Sequence, residues 1–356
     1  MTDTHAKFSP SSSARWINCS ASISLEENIE SYEDSSFASE GRLAHDLAFK
    51  IATDSLTKED EIFYTDEMIE TARYYVNFTN LLCLNSTVKF YEKKVFFGSS
   101  LNISDYLAFG TADCIVLDKE DKHIHIVDFK YGLGQKISAF ENSQLLLYAI
   151  GACRDFEKEM EISKISLHIV QSRAHHYDSY QLSYEELNKK WIPFFQEKVS
   201  SAIKDPVFAP SSEACQFCKA KPICPSLHDR ASHLQNIVKQ QKFKDIKSVS
   251  EDQLEKILDD ADFTEKYIDS VKKYVTMQAA EKGEYARYIL KKGKTVRKIN
   301  EELIQNLKSE VKSCLYKKNL VTLKEFEKVL KAHNLDCSDY VLSSEQKPIL
   351  TKKDHD

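Results

Sequence analysis

The chain has 356 residues, 42% hydrophobic and 29% charged, with a net charge of −6. That length supports two or three domains with a sizeable core, and the composition excludes disordered, collagen-like and low-complexity classes. An acidic balance excludes nucleic-acid binding by whole-surface attraction, so any such contact must be local.

Taken in chain order, the N-terminus from Met1 to Asn18 is polar and has no apolar core of a secretory signal. The longest apolar run, nine residues from Leu145 to Cys153, falls short of the roughly 20 that span a bilayer. No membrane association and a cytoplasmic protein are therefore expected. Ser11-Ser12-Ser13 is an N-cap run that predicts a helix over 14–27. Leu43, Leu47 and Ile51 recur at four-residue spacing and predict a helix over 39–52, with His45 beside the stripe. A third helix is expected over 65–84. The texture then changes: 88–97, 108–117, 123–131 and 162–171 are rich in β-branched and aromatic residues, as strands are. A helical stretch, 138–154, lies between the third and fourth of these, so the order predicts an α/β core.

Ser183 with Glu186 forms a capping box opening a helix toward Ile203, with Pro193 as a kink. Residues 205–212 carry two prolines and read as a linker. From about Leu254 the chain reads as mostly helical and Lys-rich, with a second capping box at Thr322 and Glu325. The expected division is residues 1–230 and a helical extension, 231–356. Within the latter, Ala286 to Lys298 holds six cations and no acid; a solvated face and a phosphate-contacting face both suit it.

Two constellations carry chemistry. The strand Ile124-His125-Ile126-Val127-Asp128-Phe129-Lys130 places Asp128 and Lys130 on one face. Antiparallel pairing through the short turn 118–122 brings Asp113 of Gly110-Thr111-Ala112-Asp113 toward Asp128. Two carboxylates there make a hard oxygen site suited to Mg²⁺ or Mn²⁺, and a lysine alongside suits metal-assisted phosphodiester hydrolysis. A D-x-K triplet alone is better explained by a surface ion pair. Gln144 and Tyr148, four apart, share one helix face, and His45 can complete a metal shell.

The second constellation is Cys215-x₂-Cys218-x₅-Cys224-Pro225, three of nine cysteines. Three thiolates so spaced need a fourth ligand to close a tetrahedral zinc or a cubane cluster. His228 and Cys19 are the two candidates.

The motif series Gly41 to His45, Gly110 to Asp113, Asp128 to Lys130 and Gln144 to Tyr148 resembles, in order and character, the PD-(D/E)XK nucleases, and among them the RecB-like exonucleases. The resemblance implies a restriction-endonuclease-like core, a central mixed sheet flanked by helices. It implies that His45, Asp113, Asp128 and the Phe129 carbonyl ligate Mg²⁺ or Mn²⁺, that Lys130 is catalytic, and that Gln144 and Tyr148 position DNA or the lysine. A subset typified by the AddB helicase-nuclease subunit places one cysteine before the core and three after it around a [4Fe-4S] cluster. That resemblance implies an iron–sulfur staple on Cys19, Cys215, Cys218 and Cys224, with structural Zn²⁺ as the alternative. The opening of the chain also resembles a phage-borne branch encoded without a helicase. The implied function is a metal-dependent DNA exonuclease processing ends in phage recombination or replication, with DNA and a phage recombinase or single-strand-binding protein as partners. Two other classes are a catalytically inactive DNA-binding or scaffold protein that keeps the fold, and a zinc-dependent RNA-binding module; no basic stripe interleaved with aromatics precedes the cysteines to favour the latter.

Overall fold

A computed structural model describes residues 6–27, 29, 36–82, 87–240, 250–293, 295–300, 304, 307–315, 322–345 and 349–352. The chain forms two compact units, 1–268 and 269–356. The composition-based boundary at 230 falls within a helix, so the first unit extends past the cysteines by about one further helix.

In the first unit, the expected helix 14–27 is two: α1 (Ser13–Asn18) and α2 (Ser22–Glu26). Cys19 leaves helical geometry at φ −134°, ψ 88°. The linker strand causes the break to hold: Val207 N donates to Ser20 Oγ at 2.8 Å, and Ala21 N donates to Val207 O at 3.2 Å. Helices α3 (Ser36–Ala52), α4 (Lys58–Glu61) and α5 (Asp66–Leu81) follow. Thr65 caps α5 by accepting from Met68 N; Cys83 and Leu84, at the expected end of that helix, lie outside the described residues. In α3 the buried stripe is Ala44, Leu47 and Ala48, while Leu43 is exposed, so the face is rotated from the Leu43–Leu47–Ile51 line.

Five strands form one sheet in the order of the chain: β1 (Thr87–Phe96), β2 (Phe109–Asp118), β3 (His123–Phe129), β4 (Lys164–Gln171) and β5 (His176–Ser183). All neighbours are antiparallel except β3 and β4, which run parallel. Their crossover is α6 (Ser143–Phe156), capped by Asn142 Oδ1, which accepts from Gln144 N and Leu145 N. The sheet is mixed and sandwiched. On one face Ile115, Leu117, Ile124, Ile126, Ile165 and Leu167 pack with α6. On the other, Cys114, Val116, Val127, Phe129 and Val170 pack on Ala44 and Leu47 of α3 and Ala72 and Tyr75 of α5. The period-two split of β2 and β3 between these two layers is what the strand pattern demands. The fifth strand was not expected from the sequence.

After β5 come α7 (Tyr184–Glu186), one π turn over Leu187–Trp191 and α8 (Ile192–Lys204). Pro193 sits in the first turn of α8, where its missing N–H costs no helical bond, so the expected kink is a change of helix type just before it. Helices α9 (Ser212–Gln216) and α10 (Pro225–Gln240) flank the last cysteines, and α11 (Glu251–Lys282) follows. Among the described residues, no helix is long and apolar enough to cross a membrane.

The expected helices are present among the described residues of 231–356, but the second unit also holds short strands that were not expected. It holds β6 (Glu284–Tyr285), β7 (Tyr288–Lys291), β8 (Thr295–Ile299), α12 (Ser309–Leu315), α13 (Leu323–Ala332), β9 (Val341–Glu345) and β10 (Ile349–Lys352). The strands form the sheets β10-β7-β6 and β8-β9. Tyr285, Tyr288, Ile289, Val296 and Ile299 between the lysines favour strand over helix. Phe326 and Leu330 of α13 pack with Ile304, Leu307, Val311, Leu315 and Val341 as a separate core.

Candidate metal centre and cysteine cavity

Pairing of β2 with β3 ends at Cys114–Val127. The next residue on each strand is Asp113 and Asp128, so both carboxylates project where the strands part. Asp113 Oδ2 accepts from Phe129 N at 2.7 Å, and its Oδ1 lies 3.2 Å from His45 Nδ1 on α3. The His45 ring is held against Phe129, centroids 5.3 Å apart, and Phe129 stacks on Tyr75 at 4.7 Å.

Glu92 completes this group. It stands opposite Asp113 between the pairs Tyr91–Cys114 and Lys93–Ala112, and its φ of 47° lies in the left-handed region. That conformation is costly for a residue with a Cβ and is characteristic of functional positions. Ligand atoms of His45, Glu92 and Asp113 lie within 4.8 Å of one another, the one such trio among the described residues. Together with Phe129, Tyr75, Tyr91, Ala48 and Phe49 these residues line a small pocket. Tyr75 is 2% exposed, and its hydroxyl has no hydrogen-bond partner. An orphan hydroxyl beside two carboxylates and an imidazole suits a cation site.

Asp128 stands behind this trio. It is 2% exposed. Its Oδ1 accepts from Gln144 Nε2 at 3.0 Å, and its Oδ2 pairs with the Lys130 ammonium at 2.9 Å. Lys130 Nζ also donates to Gln144 Oε1 at 3.2 Å, and Gln144 Nε2 reaches Tyr148 Oη at 3.3 Å. Of the expected metal set of His45, Asp113 and Asp128, the structure groups His45 and Asp113 with Glu92, and Asp128 stands beside them paired with Lys130. His45 and Asp113 meet, Phe129 lines their cavity, and Glu92 occupies the third position. Asp128, Lys130, Gln144 and Tyr148 form a hydrogen-bonded chain beside it. Neither Glu92 nor Tyr75 was singled out from sequence; Glu92 is a lone acid before two lysines, and only the strand register places it.

Gly110 has a steric reason. A Cβ there would lie 2.7 Å from Pro10 and 2.9 Å from the Tyr148 ring, so the glycine lets the N-terminal turn and α6 close over β2. At Gly41, one turn before His45, a Cβ would meet nothing within 4 Å.

The charges are set by mutual contact. Burial pushes the His45 imidazole down, but the facing Asp113 charge and hydrogen bond outweigh it and raise its pKa to about 9. Burial pushes Asp113 up, yet His45 holds it below the ordinary carboxylate value. For Asp128 burial wins over Lys130, and its pKa is raised. Burial lowers Lys130, but the Asp128 and Asp113 charges more than restore it, so it remains an ammonium. Metal-free protein thus gains stability from charged His45 below the ordinary imidazole value, and loses it as pH rises through about 9. A metal ion needs the imidazole neutral, so binding expels that proton. Mn²⁺ affinity measured by calorimetry is expected to rise by about tenfold per pH unit between pH 7 and 9; a flat profile there contradicts a His45-ligated ion.

Elsewhere in the unit, Cys19, Cys215, Cys218 and Cys224 line one pocket with Ser22, Leu25, Phe208 and Leu227. Cys19 is thereby brought to the C-x₂-C-x₅-C run across the fold. Arg15 pairs with Glu26 at 2.9 Å, and Lys219 N donates to Glu26 Oε1, fastening the two chain segments. His228 is 65% exposed, lies against Asp229 and Tyr267, and does not line the cavity. Of the two fourth-ligand candidates, the structure brings Cys19 to the other three. Burial raises the Cys215 thiol and pushes Cys218 up to about 12, so a metal is needed to hold them as thiolates. Residues 5–356 match the model of a family described as a protein of unknown function, DUF2800, and the chain belongs to that family.

Proposed function

We propose that this protein is a metal-dependent DNA nuclease of the PD-(D/E)XK kind, acting at DNA ends in phage recombination or replication. The observation that carries the reading is the meeting of His45, Glu92 and Asp113 beside the Asp128–Lys130 pair where β2 and β3 part. Two carboxylates and an imidazole suit Mg²⁺ or Mn²⁺. When bound, such an ion supplies Lewis-acid stabilisation of phosphoryl charge and an activated water.

The chain's own residues have separable tasks. Asp113, fixed by Phe129 N and His45, is the ligand held in one rotamer. Lys130 stays charged and is aimed by Asp128 and Gln144, so it stabilises developing negative charge and donates a hydrogen bond to the attacking water rather than taking a proton. Gln144 carries the restraint from Tyr148 to both members of the pair.

The four-cysteine cavity supports an iron–sulfur staple. Four thiolates from Cys19, Cys215, Cys218 and Cys224 around one pocket suit such a cluster, with structural Zn²⁺ as the alternative.

A second reading, a DNA-binding protein without turnover, draws on the position of Asp128 outside the ligand trio. Incubation of end-labelled linear DNA with purified protein and Mn²⁺ separates the two. The nuclease reading expects shortening that Lys130→Ala abolishes; intact DNA retained in a complex supports the other.

A further inference from the structure

The formal charge is divided sharply between the two units. Residues 269–356 carry 19 Lys and Arg against 13 Asp and Glu, a net +6, whereas residues 1–268 carry 30 against 42, a net −12. An acidic unit repels the phosphates of the substrate proposed for it, so productive affinity needs another source of positive charge.

The second unit presents such a source on its strands. Tyr285 and Tyr288 pair across the β6–β7 turn, which leaves Ala286 and Arg287 at its tip, Ala286 at φ 50°. Arg287, Lys291, Lys292, Arg297 and Lys298 are all exposed; Lys294 lies outside the described residues. Arg297 turns inward and bonds Glu327 of α13 at 2.6 Å, fixing β8 to the helix. Lys298, its neighbour on the strand, projects from the opposite face beside exposed Leu342. Lys291 and Lys298 on strands, Arg287 at the turn and Lys292 just after β7 are thus all exposed, with the half-buried Tyr288 ring between Arg287 and Lys291 in the chain.

We infer that the second unit binds the phosphate backbone of DNA through Arg287, Lys291, Lys292 and Lys298, and supplies most of the protein's DNA affinity. The choice of DNA as the polyanion rests on the nuclease reading. The test uses the full chain in EDTA, where nothing is cut, and follows binding of a labelled duplex and of its single strand by fluorescence anisotropy over a salt series. The variant R287E/K291E/K292E/K298E should weaken binding at least ~tenfold and reduce the log–log salt slope by about three. A milder set, R287Q/K291Q/K292Q/K298Q, should reduce the slope as well, and covers the case in which reversal perturbs folding. A matched reversal, K119E/K122E/K158E/K164E, changes exposed lysines of the first unit at the end of the sheet away from Lys130 and should leave affinity within about twofold.

Unchanged affinity and slope in both C-terminal sets, or equal loss in the matched set, overturns the inference. Parallel incubation of wild-type protein with Mn²⁺ keeps the two readings apart. Cleavage that coexists with wild-type affinity and an unchanged salt slope in both C-terminal sets removes this inference alone. Binding through these residues with no cleavage removes the nuclease reading alone.

Discussion

Asp113→Asn is expected to lower DNA cleavage on the order of a thousandfold, about 4 kcal/mol of transition-state stabilisation, while leaving the fold intact. The substitution keeps the shape of the side chain and an oxygen to accept from Phe129 N, but removes the negative charge that faces His45. Two consequences follow from the same contact. The imidazole loses the partner that raises its pKa, so burial returns it toward or below the ordinary value. The cavity between His45 and Glu92 loses its central anionic ligand, so Mn²⁺ affinity should fall together with cleavage. Calorimetric Mn²⁺ titration alongside digestion of end-labelled DNA checks both. Wild-type cleavage by Asp113→Asn would remove the assigned site, and lost cleavage with unchanged Mn²⁺ binding would place the ion elsewhere.

Cys19→Ser is expected to strip the iron–sulfur centre and destabilise the first unit as severely as Cys218→Ser. Cys19 and Cys215 are 196 residues apart in sequence, and a tie across such a loop removes about 5 kcal/mol of unfolded-chain entropy. Loss of that tie should lower the melting temperature by on the order of 10 °C. The change itself is small, a sulfur to an oxygen in a buried site, so packing alone would cost far less. Anaerobically purified wild-type protein should contain about four iron and four acid-labile sulfide per chain, with both lost in Cys19→Ser. His228→Ala should retain them, since His228 stands outside the cavity. Stoichiometric zinc without iron would overturn the cluster, and full iron in Cys19→Ser would remove Cys19 as its ligand.

The sheet was legible wherever pattern and environment coincide. Strands β1 to β4 are dense in β-branched and aromatic residues because the middle ones are buried on both faces. Strand β5, an edge strand like β1, escaped because it has none of the β-branched residues that mark β1. Its sequence, His-Tyr-Asp-Ser-Tyr-Gln-Leu-Ser, exposes alternate positions and buries only Leu182. The helix over 14–27 was legible as propensity, but its break at Cys19 depends on Val207, far away in sequence. The second unit's strands were hidden by their lysines, which lower the apolar count without preventing pairing.

For the candidate site, linear motifs identified His45, Asp113, Lys130 and the Gln144–Tyr148 pair, because each lies on an element whose period fixes its direction. Glu92 and Tyr75 have no such signature. Glu92 is specified by the β1–β2 register and a left-handed backbone, and Tyr75 by the packing of α5 on Phe129. The same register that places Glu92 beside Asp113 leaves Asp128 to Lys130 and Gln144.

The central claim is that one divalent ion sits among His45, Glu92 and Asp113. Anomalous diffraction from a crystal of the protein soaked in Mn²⁺ tests it most directly. A single strong peak within bonding distance of the His45 imidazole and the Asp113 and Glu92 carboxylates is the predicted result. A peak that none of these three residues contacts, or no peak in their cavity at saturating Mn²⁺, would contradict it.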